Sequence, residues 1–191
     1  MCENYKKQHG AIFKGLVDQS NKEDREIGVA ICREWTEFYR TFLGPKRIGE
    51  KQHAVTIPDD DCPSDVEYTG TFHTHRFPND HMPSTWDLTE YPYGHTCTAG
   101  QDGKMACGEY RYLRKKELKD HLKAEKQFTQ CIDQEMKRAF PSIKESDIEA
   151  RLREIPKELK NKINEKCTIP YRDTAKMILT KKKGSFCEIQ L

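Results

Sequence analysis

Thr71-Phe-His-Thr-His-Arg-Phe-Pro-Asn-Asp-His-Met-Pro-Ser-Thr-Trp-Asp87 is the stretch from which the rest of this chain can be read. Val66 to His75 has the composition of a β-strand. On a strand, side chains two residues apart share a face, about 6.6 Å apart along the axis. His73 and His75 therefore project side by side, close enough to converge on one ion. Pro83-Ser-Thr-Trp-Asp87 reads as a helix start, with Ser84 as N-cap and Asp87 at the third helical position. A carboxylate there can point back to the end of the preceding strand. Two imidazoles and one carboxylate leave a tetrahedral zinc with one open position for water, the arrangement of a catalytic site. The plainer alternatives are two polar strand residues facing solvent and an ordinary helix start.

Working outward, Glu26-Ile-Gly-Val-Ala-Ile-Cys32 is a nearly continuous apolar run, expected for a strand covered on both faces. Period two puts Glu26, Gly28, Ala30 and Cys32 on one face, where the small residues leave room for a helix or a ligand. Ile12, Leu16 and Val17 suggest a short amphipathic helix before it, ending near Ser20-Asn21. Phe38 to Leu43 and His53 to Ile57 are further strand candidates, and Asp59 to Ser64 is a loop. Tyr91 to Tyr112 reads as two strands around the turn 101–104. Gly70, inside the histidine strand, marks a bulge or a close backbone approach. Phe72 and Trp86 are expected to pack beneath the site. His53, His95 and His121 look isolated.

After residue 112 the pattern becomes helical. One helix runs from about Leu113 to Phe140 with Leu118, Leu122, Phe128, Ile132, Met136 and Phe140 as an imperfect apolar face, and Pro141 stops it. Ser146 to Glu149 has the form of a capping box. Ile148, Leu152, Ile155, Leu159 and Ile163 then lie on one helix face, which Pro156 should kink or divide. Ala175 to Thr180 and Ser185 to Leu191 suggest a terminal hairpin around the Lys181–Lys183 turn. The chain thus divides into a core at 1–112 and a basic, mainly helical extension at 113–191 packed on it.

The charge follows the same division. Residues 1–112 hold 13 Lys/Arg against 18 Asp/Glu, and residues 113–191 hold 20 against 13. The whole chain is only +2, so bulk charge selects no partner, and no nucleic-acid partner is expected without clustered Arg and exposed aromatics. No apolar run approaches a membrane span, and Met1 to Gly10 lacks a signal-peptide core. The expectation is a soluble cytoplasmic protein. Eight cysteines without a C-x-x-C exclude zinc ribbons and thioredoxin-like pairs; their even count could support disulfides, but by cytosolic habit they read as mostly free thiols.

The H-x-H…Ser-x-x-Asp run resembles the signature of the JAMM (MPN-plus) zinc metalloproteases, and the resemblance covers about residues 9–112. That family has a Glu on an early apolar strand after a first helix; Glu26, 47 residues before His73, fits it in context and distance. The resemblance implies an α/β fold, a curved mixed β-sheet flanked by helices of the cytidine-deaminase-like kind. It implies His73, His75 and Asp87 as zinc ligands, Glu26 as general base and Ser84 as hydrogen-bond donor to the oxyanion. The implied reaction is hydrolysis of peptide or isopeptide bonds, with a protein or peptide substrate such as a ubiquitin-like conjugate. Two departures stand out: Arg76 replaces the proline that follows the second histidine, and eleven residues rather than about ten precede Asp87. The longer loop makes Asp80 and His81 substitute ligand candidates. Glu67, about 20 Å along the strand from His73, is set aside. The alternative function is a non-catalytic scaffold of the same fold, with the C-terminal helices serving a protein partner. A zinc deaminase is disfavoured, since H-x-E with a later P-C-x-x-C is missing.

Overall fold

The computed structural model describes residues 1–34, 40–49, 55–75, 80–90, 94–109, 113–152, 154–181 and 186–191. Within these, the chain forms a mixed sheet with helices on both faces, as the α/β reading expects. In chain order the strands are β1 (Ile27–Glu34), β2 (Thr41–Leu43), β3 (Arg47–Ile48), β4 (Val66–Thr74), β5 (His95–Ala99), β6 (Lys104–Glu109) and β7 (Phe186–Gln190). The helices are α1 (Cys2–Glu23), α2 (Thr85–Glu90), α3 (Lys115–Ala139), α4 (Ile148–Leu152), α5 (Lys157–Ile163) and α6 (Ile169–Leu179). The sheet order is β2-β1-β4-β5-β6-β7, with β3 also paired to β1. Only the β4–β5 pairing is parallel among these; the others are antiparallel.

The apolar run after Glu26 is β1, and its two faces meet different neighbours. Ile27, Val29 and Ile31 join Phe72, Cys97, Met105 and Cys107 beneath α1. There Phe13 stacks on Phe72, ring centroids 4.0 Å apart and nearly parallel. Ala30 and Cys32 pack with Ile57 and Cys62 on the other face. A Cβ on Gly28 would stand 2.4 Å from Ile57 Cδ1. The room left by the small residues is thus taken by Ile57 and Cys62.

α1 is longer than the expected short helix. Its buried stripe is Tyr5, His9, Phe13, Leu16, Val17 and Ser20, while Ile12 faces solvent. It ends at Asp24, whose left-handed backbone (φ 52°) stops the helix in the way a glycine usually does. Gly70 behaves as its sequence context implied: the β1–β4 register slips between Ile31 and Cys32 opposite it, and an added Cβ would lie 2.0 Å from the His95 carbonyl oxygen. Of the other strand candidates, Tyr91 to Tyr112 yields β5 and β6 as an antiparallel pair around the expected turn, and Phe38 to Leu43 yields a strand at Thr41–Leu43. Val55 to Ile57 is irregular, while 35–39, 53–54, 91–93 and 110–112 lie outside the described residues.

Residues 113–191 are woven into the core. β7 pairs with β6 in place of the expected hairpin, and the 169–179 segment is helical, opening with Pro170 in its first turn. The far face of the sheet is covered by Met82, Ala124, Tyr171 and Ala175 around Ala106. A second small core joins Ile132 and Met136 of α3 to Ile148, Leu152, Ile155 and Ile163. Pro156 caps α5 and divides the apolar stripe, as expected, while Ser146 sits in a 3-10 turn, its hydroxyl donating to Asp147. Leu122 is exposed, and the buried stripe of α3 runs instead through Glu117, His121, Ala124, Ile132, Glu135 and Met136.

All eight cysteines are paired, which corrects the expectation of free thiols. The bridges are Cys2–Cys187, Cys32–Cys62, Cys97–Cys107 and Cys131–Cys167. Cys97 and Cys107 are directly opposed on β5 and β6, and Cys187 lies opposite Cys107 on β7. Among the described residues no helix is long and apolar enough to cross a membrane.

Candidate metal centre

His73 lies near the end of β4, between Gly28 of β1 and Thr98 of β5. His75 lies just beyond the strand, and its amide donates to the Ala99 carbonyl (2.7 Å), which prolongs the parallel ladder and keeps the two-residue period. The imidazoles consequently share a face, with ring centroids 5.1 Å apart. α2 starts where the sequence places it. The Ser84 amide donates to Asp87 Oδ2 (2.7 Å) and the Asp87 amide donates to Ser84 Oγ (3.0 Å), a reciprocal cap. Leu88 packs beside Gly108 of the sheet, and Thr96 Oγ1 donates to the Asp87 carbonyl.

The result is a convergence of three donor groups. His73 Nε2 and His75 Nε2 are 3.2 Å apart; Asp87 Oδ1 lies 3.1 Å from the first and Oδ2 3.6 Å from the second. Two donors held about 2.0 Å from a tetrahedral ion stand roughly 3.3 Å from each other, so these spacings fit a cation shared by all three. His75 Nδ1 is 3.0 Å from the carbonyl oxygen of Asp80, which can only accept. In the neutral ring Nδ1 therefore carries the hydrogen and Nε2 turns its lone pair to the centre, the usual outer support of a ligating histidine. Asp80 is thus a partner of a ligand candidate rather than a substitute for one. His81 is buried elsewhere, its Nε2 2.6 Å from Glu188, and burial lowers its pKa.

The three groups are also coupled electrostatically. Burial disfavours a charged His75, but Asp80 and then Asp87 overcome it and hold its pKa well above the ordinary value. Burial likewise opposes the Asp87 carboxylate, yet His73 and His75 hold it well below the ordinary range. A second sulfur group, Cys2, Cys107 and Cys187, also clusters, but its sulfurs are in disulfides and offer no thiolate.

Glu26 immediately precedes β1. Continuing the Gly28–His73 register by two residues sets it opposite His75, on the histidine face. Its carboxylate accepts from the Val55 amide (3.2 Å) and its carbonyl from the Gly49 amide. The backbone after it is held by a relay of donors: Ile27 N–H to Thr74 Oγ1, Thr74 hydroxyl to Ser20 Oγ, Ser20 hydroxyl to the Arg25 carbonyl. Glu67, at the other end of β4, pairs with Arg33. Arg76 and the three residues after it lie outside the described residues.

Two sequence expectations fail nearby. Phe72 is buried, but on the α1 face, and Trp86 is 69% exposed. His95 and His121 are not isolated. His95 Nδ1 is 2.8 Å from the Tyr5 hydroxyl, and His121 Nδ1 is 2.9 Å from the hydroxyl of Thr85 in α2. Glu125 of α3 accepts from the Thr85 amide. His121 and Glu125 are four apart on the stripe of α3 that faces the sheet, and only a reading of that stripe as polar would have found them.

No family model and no curated protein matches this chain.

Proposed function

We propose that this protein is a zinc-dependent metallopeptidase or isopeptidase of the JAMM/MPN kind, with His73, His75 and Asp87 holding the ion. The observation that carries the reading is the meeting of two strand histidines and a capped-helix carboxylate at 3.1–3.6 Å, with Glu26 opposite His75 where the β1–β4 register is continued. When bound, zinc would polarise the scissile carbonyl and lower the pKa of a water.

The protein's own groups account for the rest. Glu26 takes the proton of the attacking water and returns it to the leaving amine. Ser84 Oγ accepts the Asp87 amide, which leaves its hydroxyl hydrogen for the substrate carbonyl oxygen as charge develops there. Asp80 fixes the His75 ring. A protein tail or a ubiquitin-like conjugate is the proposed substrate, since the reaction needs only an amide carbonyl.

Four disulfides bear on where it works. A cytoplasmic location suits them in cells whose intracellular proteins are rich in disulfides, as in hyperthermophiles; elsewhere they belong to an oxidising compartment.

The test is Glu26→Gln in the full chain, assayed on a panel of peptide and isopeptide substrates. Zinc content should match the wild type while turnover falls at least about a hundredfold. Unchanged turnover removes Glu26 from the mechanism. A wild type that binds zinc and cleaves nothing on the panel favours the scaffold.

A further inference from the structure

The residues after 112 carry no catalytic motif, yet two of their side chains meet the helix that bears Asp87, and a third backs them. Thr85 opens α2. Its amide donates to the Glu125 carboxylate and its hydroxyl lies 2.9 Å from His121 Nδ1, both on α3. Tyr171 of α6 hydrogen-bonds Glu125 and stands with its ring centroid 6.2 Å from that of His121. Behind it Phe128 stacks on Tyr171 at 4.8 Å. His121 is fully buried, and its Nε2 has no partner among the described residues.

This arrangement is more than burial of polar groups. α2 has six residues, far below the length at which a helix holds itself in water. Its internal support is the Ser84–Asp87 cap, and its contact with the sheet is through Leu88 and the Asp87 carbonyl. Glu125 takes up the free amide at the first position, two residues before the ligand. It also places a carboxyl at the positive end of the helix. Burial raises the Glu125 pKa, with the nearby Asp87 and Asp80 adding to it, and the bonds from Thr85 oppose the rise. Holding three acidic groups so close is costly unless a cation or a donor network offsets it.

We propose that Glu125, supported by Tyr171 and His121, is a positioning residue for the metal ligand Asp87: the C-terminal helices clamp the first turn of α2 and set its carboxylate against His73 and His75. The region after residue 112 is therefore part of the centre. The metal consequence rests on the zinc reading; the clamp itself does not.

The experiment uses the full chain with Glu125→Ala, Glu125→Gln and Tyr171→Phe. Two quantities are read: zinc affinity by competition with a chromophoric chelator, and amide exchange of Thr85–Glu90 in metal-free protein. Glu125→Ala should weaken zinc by about ten- to a hundredfold. It should also speed exchange in α2 while β4 exchanges as in the wild type. Glu125→Gln keeps an oxygen for the Thr85 amide and should recover most of both. Tyr171→Phe should fall between. Zinc affinity within twofold of the wild type, with unchanged α2 exchange, overturns the clamp. If the wild type binds no zinc, the zinc reading fails alone, and exchange decides: acceleration confined to α2 in Glu125→Ala supports the clamp, and its absence refutes it. If Glu125→Ala does not fold, Tyr171→Phe decides: weaker zinc or faster exchange confined to α2 supports the clamp, and wild-type exchange and affinity refutes it.

Discussion

Acidification should cost this protein stability through His121. The ring is fully buried, and burial pulls its pKa from the ordinary 6.5 down to about 4, against the opposing charge of Asp87. An unfolded chain takes up a proton at this residue near pH 6.5, and the folded chain does not until about pH 4. Above the first value both states are neutral there and nothing depends on pH. Below it the unfolded state binds more protons, so stability falls by about 1.4 kcal/mol per pH unit. The fall ends at the folded value, after about 3 kcal/mol in all, and by about pH 5 about 2 kcal/mol has gone. The groups that face the ring are Thr85 Oγ1, Glu125 and Tyr171. Other residues titrate over the same range, so the quantity to measure is a difference. Urea unfolding of metal-free wild type and His121→Gln should be compared from neutral pH downward. The wild type should lose about 2 kcal/mol more than the variant by about pH 5. Parallel curves would refute the argument, because they would mean that His121 takes up its proton in the folded protein as readily as in the unfolded one.

Gly70→Ala should destabilise by on the order of 3 kcal/mol, since its Cβ would sit 2.0 Å from the His95 carbonyl oxygen between two paired strands; a thermal midpoint equal to the wild type would contradict that crowding. Replacing both Cys131 and Cys167 by Ser opens a bridge between residues 36 apart, and loop-closure entropy predicts a loss of about 4 kcal/mol in denaturant unfolding. Thiol titration of the native, unreduced wild type should find no free thiol, and eight after reduction in denaturant.

Much of the centre was legible because its signals are local. The two-residue period of β4 aligns His73 and His75, and the Ser84–Asp87 cap spans four residues, so neither depends on the rest of the chain. The same holds for β1, read from one apolar run, and for the split stripe around Pro156. What escaped the sequence depends on distant partners. Disulfide partners lie 10 to 185 residues apart, and spacing alone does not select among them. β7 has ordinary strand composition, and nothing within it indicates pairing with β6 rather than with the segment just before it. His121 and Glu125 read as polar interruptions of an apolar helix face, and only the packing of α3 against α2 gives them meaning. Trp86 misled for a related reason: a large aromatic beside a site suggests core, but the second position of α2 faces solvent.

The most direct test is metal content by elemental analysis, on purified wild type and on a His73→Ala, His75→Ala variant. The account predicts about one zinc per chain in the wild type and none in the variant. Zinc absent from both, and not restored by dialysis against the ion, would contradict it.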